Sequence, residues 1–279
     1  MTLVTWFIYF LFVVVSYGDV NNHPACDQSQ IQTNLYLDLG CKPIYSKCQK
    51  CPVRYECNLA PKNGSCLFRG KYIPIGEALN DNDTLSTCYV GCFCGEDQRF
   101  VCAILDCWFP IPEEKPNCYT KWTLDQCCPG ETYCYDECHP PHTCLVDGKT
   151  YREDEIFFPK DSCYRCVCKK GFNGKLEAPY CKRQACLANY HYVDQLNQYC
   201  APIYSEGPNC CSYEWLCPSS NDKKLPSVKK PCGAGLTCKY GKKVLKVGDR
   251  FESKIINYDN TTTPVQCECD VPPLVTCRK

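Results

Sequence analysis

Hydrophobic positions are spread very unevenly along the chain. Apolar residues run almost unbroken for 13 positions from Leu3 to Val15, and no later stretch repeats this. That is shorter than the ~20 residues a membrane-spanning helix takes. Small residues at Ser16 and Gly18 then occupy the minus-three and minus-one positions for cleavage before Asp19. The pattern predicts a secretory signal peptide over 1–18, although its n-region lacks the usual positive charge; a signal anchor is the other reading. Elsewhere the apolar positions come in short β-branched or aromatic stretches separated by polar turns. Examples are Tyr72-Ile73-Pro74-Ile75 after Gly70-Lys71, and Phe100-Val101 after "GEDQR". Such stretches predict short strands and hairpins, with little helix. Asn173-Gly174 reads as a tight-hairpin dipeptide.

Composition changes this picture. The 261 residues after position 18 keep all 31 cysteines, about 12% of that length, above the ~8–10% that marks a disulfide scaffold. Leu, Ile, Val and Phe make up 49 of them, about 19%, too few for one large core. Small modules, each held by several bridges worth ~2–4 kcal/mol, are the physical alternative. The fold class expected is therefore small, disulfide-rich and mainly β: tandem modules with short twisted sheets and irregular cysteine-tied halves. Zero net charge gives no reason to expect a nucleic-acid partner.

"CYRCVC" at 163–168 could be a metal cage, a redox centre or part of a disulfide framework. Recurrence favours the framework. One copy of a ten-cysteine series runs through Cys66, Cys88, Cys92, Cys94, Cys102, Cys107, Cys118, Cys127, Cys128 and Cys134. A second runs through Cys144, Cys163, Cys166, Cys168, Cys181, Cys186, Cys200, Cys210, Cys211 and Cys217. A third begins at Cys238, continues through Cys267, Cys269 and Cys277, and lacks the first cluster cysteine and everything after the fifth. Each copy carries Gly-Lys shortly after its first cysteine: "CLFRGKY", "CLVDGKT" and "CKYGKKV". If the four cysteines of the third copy pair among themselves, their equivalents in a full copy do likewise. Cys88 and Cys163 would then bridge to the second half.

The C-x2-3-C-x-C clusters (88–94 and 163–168), the Cys-Cys pairs (127–128 and 210–211) and "DGKTY" at 147–151 closely resemble the von Willebrand factor type C module of chordin-like proteins. The expected organisation is a signal peptide at 1–18, an N-terminal cysteine-rich extension at 19–65, module 1 at 66–134 and a linker at 135–143. Module 2 follows at 144–217, then a Lys/Pro-rich linker at 218–237 and a partial module 3 at 238–279. Repeat one has an extra residue in its cluster, and repeat two lacks a proline after its Cys-Cys pair. Seven cysteines lie outside the three copies, so one thiol is free or pairs with another chain.

The resemblance implies binding of bone morphogenetic protein and transforming growth factor-β class ligands, themselves dimeric. The candidate contact residues are Tyr72, Ile73 and Ile75 in repeat one and Ile156, Phe157 and Phe158 in repeat two, with packing inside the module as the alternative for each. A matrix or adhesion role, with the odd cysteine linking chains into oligomers, is the second reading; protease inhibition is the third. The basic run that includes Lys239, Lys242, Lys243, Lys246 and Arg250 is a candidate glycosaminoglycan site or simply a solvated face. Sequons at Asn63, Asn82 and Asn260 are candidate glycosylation sites. "CQKC" at 48–51 and "HPPH" at 139–142 read better as a bridge and a turn than as metal sites. No G-x-S-x-G, H-E-x-x-H or Gly-rich phosphate loop occurs, so the expectation is a secreted, extracellular, non-enzymatic chain with no cofactor, no metal and no membrane span.

Overall fold

The computed structural model of the chain describes residues 33–107, 117–205, 210–257 and 259–279. The expected signal peptide and Cys26 lie outside the described residues. The fold is mainly β with a few short helices.

The N-terminal segment contributes α1 (Thr33–Asp38) and the antiparallel hairpin β1 (Lys42–Ser46) and β2 (Gln49–Glu56), tied at its open end by Cys41–Cys57. The first unit follows with β3 (Ser65–Phe68), β4 (Lys71–Pro74), β5 (Tyr89–Cys94), β6 (Phe100–Ile104), β7 (Cys118–Thr120) and β8 (Thr132–Cys134). The second contains β9 (Thr143–Val146), β10 (Lys149–Arg152), β11 (Ile156–Phe157), β12 (Tyr164–Val167) and β13 (Cys181–Arg183). Its second half adds α2 (Ala188–His191), α3 (Val193–Asn197), β14 (Ala201–Tyr204) and β15 (Glu214–Leu216). After β16 (Lys223–Leu225) the third copy supplies β17 (Thr237–Tyr240), β18 (Lys243–Lys246), β19 (Arg250–Ile256), β20 (Thr262–Glu268) and β21 (Thr276–Arg278).

Local chemistry explains the hairpins. Arg69-Gly70 and Asp147-Gly148 join β3 to β4 and β9 to β10, all four residues with positive φ. That is the type I′ requirement, which a right-twisted hairpin favours. In the third copy Gly241 holds the first turn position at φ +57°, as in a type II′ turn. Asn173-Gly174 does not close a two-residue hairpin. β12 ends at Val167 and β13 begins at Cys181, because Phe172 and Tyr180 fold the intervening loop back onto Phe157, with ring centroids 5.4 Å (Phe157–Phe172) and 5.7 Å (Phe172–Tyr180) apart.

Both complete units pair their cysteines in one order. The first joins the fourth (66–94, 144–168), the second the eighth (88–127, 163–210) and the third the fifth (92–102, 166–181). The sixth joins the ninth (107–128, 186–211) and the seventh the tenth (118–134, 200–217). The third copy repeats the first-half pairs as 238–269 and 267–277. Cys88 and Cys163 thus reach the second half, as the truncated copy implied. "CYRCVC" is a disulfide hub.

Among the described residues burial is divided among four clusters, three of which cross the boundaries between copies, Tyr190 of unit 2 packing on Phe68 and Phe100 of unit 1. The strands of the third copy continue into unit 2 and the preceding segment, giving a six-stranded sheet of order β15-β14-β21-β20-β19-β16. This is larger than the short sheets expected of separate modules, since so small a sheet cannot bury a face alone. Ala201, Ile203 and Leu216 share a core with Tyr240, Phe251, Val265 and Val275. On the other side Leu35, Tyr36, Leu39 and Tyr55 of the N-terminal segment pack with Leu196, Trp215, Val271 and Leu274. Tyr36 is anchored there: its hydroxyl donates to Val271 O at 2.8 Å and accepts from Leu274 N at 3.0 Å, and burial pushes its phenol well above the ordinary value. Gly40 (φ +72°) is required beside this contact, because a Cβ there would lie 2.4 Å from Arg69 O. Cys48–Cys232 ties the β1–β2 hairpin to the segment after β16.

Candidate binding surfaces

Alternation along β5 and β6 decides what unit 1 offers to solvent. Cys92 and Cys94 point inward to their bridges, so the residue between them points out. Phe93 pairs with Val101 on β6, and the two are 41% and 47% exposed. Leu105 is exposed on the same side, while Ile104 (67%) is exposed on the side of Cys102; Ile75 is exposed next to Gly76, whose N donates to Cys94 O at 2.8 Å. Bridges rather than this face hold the sheet together, which is why it tolerates apolar residues in water. A patch of this kind is what interaction surfaces look like.

Of the residues singled out from sequence, Ile75 is exposed, in the segment leading to the edge of β5. Tyr72 is half-buried and committed to the segment before it, donating to Ala60 O at 2.9 Å and Asn58 Oδ1 at 3.2 Å. Ile73 packs against the core of unit 1. In unit 2, Phe157 is a core residue, 1% exposed, with its ring centroid 5.0 Å from that of Tyr151. This corrects its reading as a contact residue: in an all-apolar Ile156-Phe157-Phe158 run, the pairing of Phe157 with Cys166 turns it inward. Ile156 is half-buried opposite Val167. Phe158 is exposed on the rim of a cleft of about 310 Å³, lined by Leu85 and Leu124 of unit 1 and Arg165 and Lys182 of unit 2. Sequence reasoning passed over Phe93, Val101 and Ile104; inward cysteines on either side of Phe93 were the available signal.

The basic run is partly neutralised within the chain. Lys239 Nζ sits 4.6 Å over the Tyr199 ring, Lys243 Nζ lies 2.8 Å from Asp222, and Arg250 Nη2 donates to Gln266 at 3.0 Å. Lys242 and Lys246 are exposed. Nearby, hydrogen bonds from Ser227 and the Lys246 backbone, with the charges of Lys224 and Lys246, hold the Asp249 carboxyl below its ordinary value. Asn63, Asn82 and Asn260 are all exposed.

Among the described residues, two sets of side chains lie close enough to share an ion, Cys107-Cys127-Cys128 and His142-Cys144-Cys168. All five cysteines are in disulfides, so none offers a thiolate. His139 Nδ1 lies 3.3 Å from Asp136 in the turn after β8. Cys138 is the free cysteine among the described residues, and it is exposed. No helix among the described residues is long and apolar enough to cross a membrane.

Compared with known proteins, 119 residues, 43% of the chain, are 29% identical to the protein kinase C-binding protein NELL1 of Mus musculus. The same figures hold for the proteins of that name from Rattus norvegicus and Homo sapiens. The match covers 11% of the length of each of these relatives. No family model and no solved structure matches the chain. The bridges themselves are of the kind that form and persist in oxidising surroundings.

Proposed function

We propose that the chain is a secreted, non-enzymatic binding protein made of two complete and one partial von Willebrand factor type C modules, and that it modulates dimeric growth factors of the bone morphogenetic protein and transforming growth factor-β class. The observation that carries this reading is the open apolar face of unit 1, with Phe93 and Val101 outward on a sheet fixed by disulfides. Rigid, preorganised apolar side chains bind with little ordering cost. The test is binding of immobilised, fully oxidised protein to a panel of such dimers, with and without heparin. Saturable binding weakened by Phe93→Ala supports the reading; absence of binding across the panel removes it.

The exposed free thiol of Cys138 favours a second reading, a matrix protein linked between chains. Under it, non-reducing electrophoresis shows oligomers that collapse to monomer in Cys138→Ser.

A further inference from the structure

The three copies differ in what lies along the outer edge of the strand that carries the fifth cysteine. In the third copy that strand is β21, and its edge is occupied. β14 pairs with it in parallel, Ile203 opposite Cys277 and Tyr204 opposite Arg278, and Lys279 N donates to Tyr204 O at 3.0 Å. The occupant is fully apolar, with Ala201, Ile203 and Tyr204 all inaccessible to solvent.

The corresponding strand of unit 1 is β6, where Cys102 holds the place of Cys277, each bridging the third cysteine of its copy. Leu105 N donates to Cys88 O at 2.9 Å and Arg99 O accepts from Gly95 N at 2.8 Å. Residues 99, 101, 103 and 105 therefore turn their main-chain groups toward β5. Alternation turns those of Cys102 and Ile104 to the opposite edge. Ile104, two residues beyond Cys102, is the equivalent of Lys279, two beyond Cys277. Among the described residues no main-chain bond is made along this edge, and exposed Val101, Ile104 and Leu105 flank it.

We propose that the outer edge of β6 is a strand-acceptor site, and that it takes an extended apolar segment of the protein ligand, parallel to β6, in the place that β14 fills on the third copy. An unpaired edge with apolar flanks is a ready template for strand addition, main-chain bonds giving affinity and side chains giving selectivity. The identity of the ligand rests on the growth-factor reading above; the acceptor edge itself rests on the comparison with β14.

Two variants of the full-length oxidised protein test it. Ile104→Pro removes an outward N–H and no bond to β5, a position where an edge strand tolerates proline. Ile104→Thr changes the side chain and keeps the N–H. Against the growth-factor dimers, Ile104→Pro should weaken binding about tenfold and Ile104→Thr about threefold or less, with all bridges formed. Equal binding by wild type and Ile104→Pro overturns the acceptor edge and leaves the growth-factor reading standing. If no dimer binds wild type, the edge is read with a synthetic peptide of residues 201–205. Saturating peptide should slow amide exchange at Cys102 and Ile104, and no slowing overturns the proposal. A wild-type homodimer that Ile104→Pro dissociates would also overturn it, by giving the edge to a second copy of the chain.

Discussion

Phe93 and Val167 occupy the same place, between the third and fourth cysteines of their units, yet Phe93 is 41% exposed and Val167 1%. The bridges on either side fix both residues on the face opposite the sulfurs. What differs is the neighbour. Unit 1 sends its second half onto that face of unit 2: Arg165 donates to Leu124 O at 3.1 Å, Lys182 lies 4.0 Å from Asp125, and Trp122 N donates to Asp154 O at 2.8 Å. In the third copy the same place holds Glu268, paired with Lys230 at 3.0 Å and Arg250 at 3.8 Å. Unit 1 has no such cover among the described residues. A disulfide frame thus fixes which way a side chain points, while the neighbouring segment decides whether it is core, ion pair or open surface.

The largest effect expected is at the sulfur-side core of unit 2. Phe157→Ala should cost about 3–5 kcal/mol, read as a lowered denaturation midpoint with all bridges intact. A loss near zero would mean that the bridges alone hold the unit. Next is the clamp between the N-terminal segment and unit 2. Asp38 is fully buried and receives hydrogen bonds from Arg183 and from Cys186 N. Arg183→Ala leaves that carboxylate without its cation and should cost about 3 kcal/mol; amide exchange should show β13 loosened and β6 unchanged.

Tyr36→Phe comes third. It leaves Val271 O and Leu274 N unpaired in the core, for a loss of about 1–3 kcal/mol. Because burial raises the Tyr36 phenol in the folded state, its contribution is fully present below ~10, the unfolded value. It falls as pH climbs from there through the folded value. The variant should therefore show a shallower alkaline loss of stability than wild type. Smallest is Phe93→Ala, whose effect on stability should stay within about 0.5 kcal/mol. A larger loss would mean that the face of unit 1 is a structural contact, which would end the contrast with Val167.

Much of the frame was legible in the chain. The order of cysteines and the missing second half of the third copy sufficed to place Cys88 and Cys163 across their units. Phe157 was not legible. A run of three apolar residues carries no alternation, so its inward member is chosen only by pairing with Cys166. The open face around Phe93 lay within reach of period-two reasoning, but its openness did not, because that depends on a covering segment distant in sequence.

The sequence by itself determined the recurring cysteine series, the crossing of Cys88 and Cys163 to the second halves, and the short-strand, disulfide-rich character of the fold. Each of these follows from composition and from the order and spacing of residues along one copy. Only the tertiary structure decided that β14 would complete the sheet of the third copy, that Tyr36 would seal its far side, and that Cys48 would bridge Cys232. Those contacts join segments up to 238 residues apart. They arise because short sheets must find apolar cover somewhere, a need that local pattern states without naming the partner.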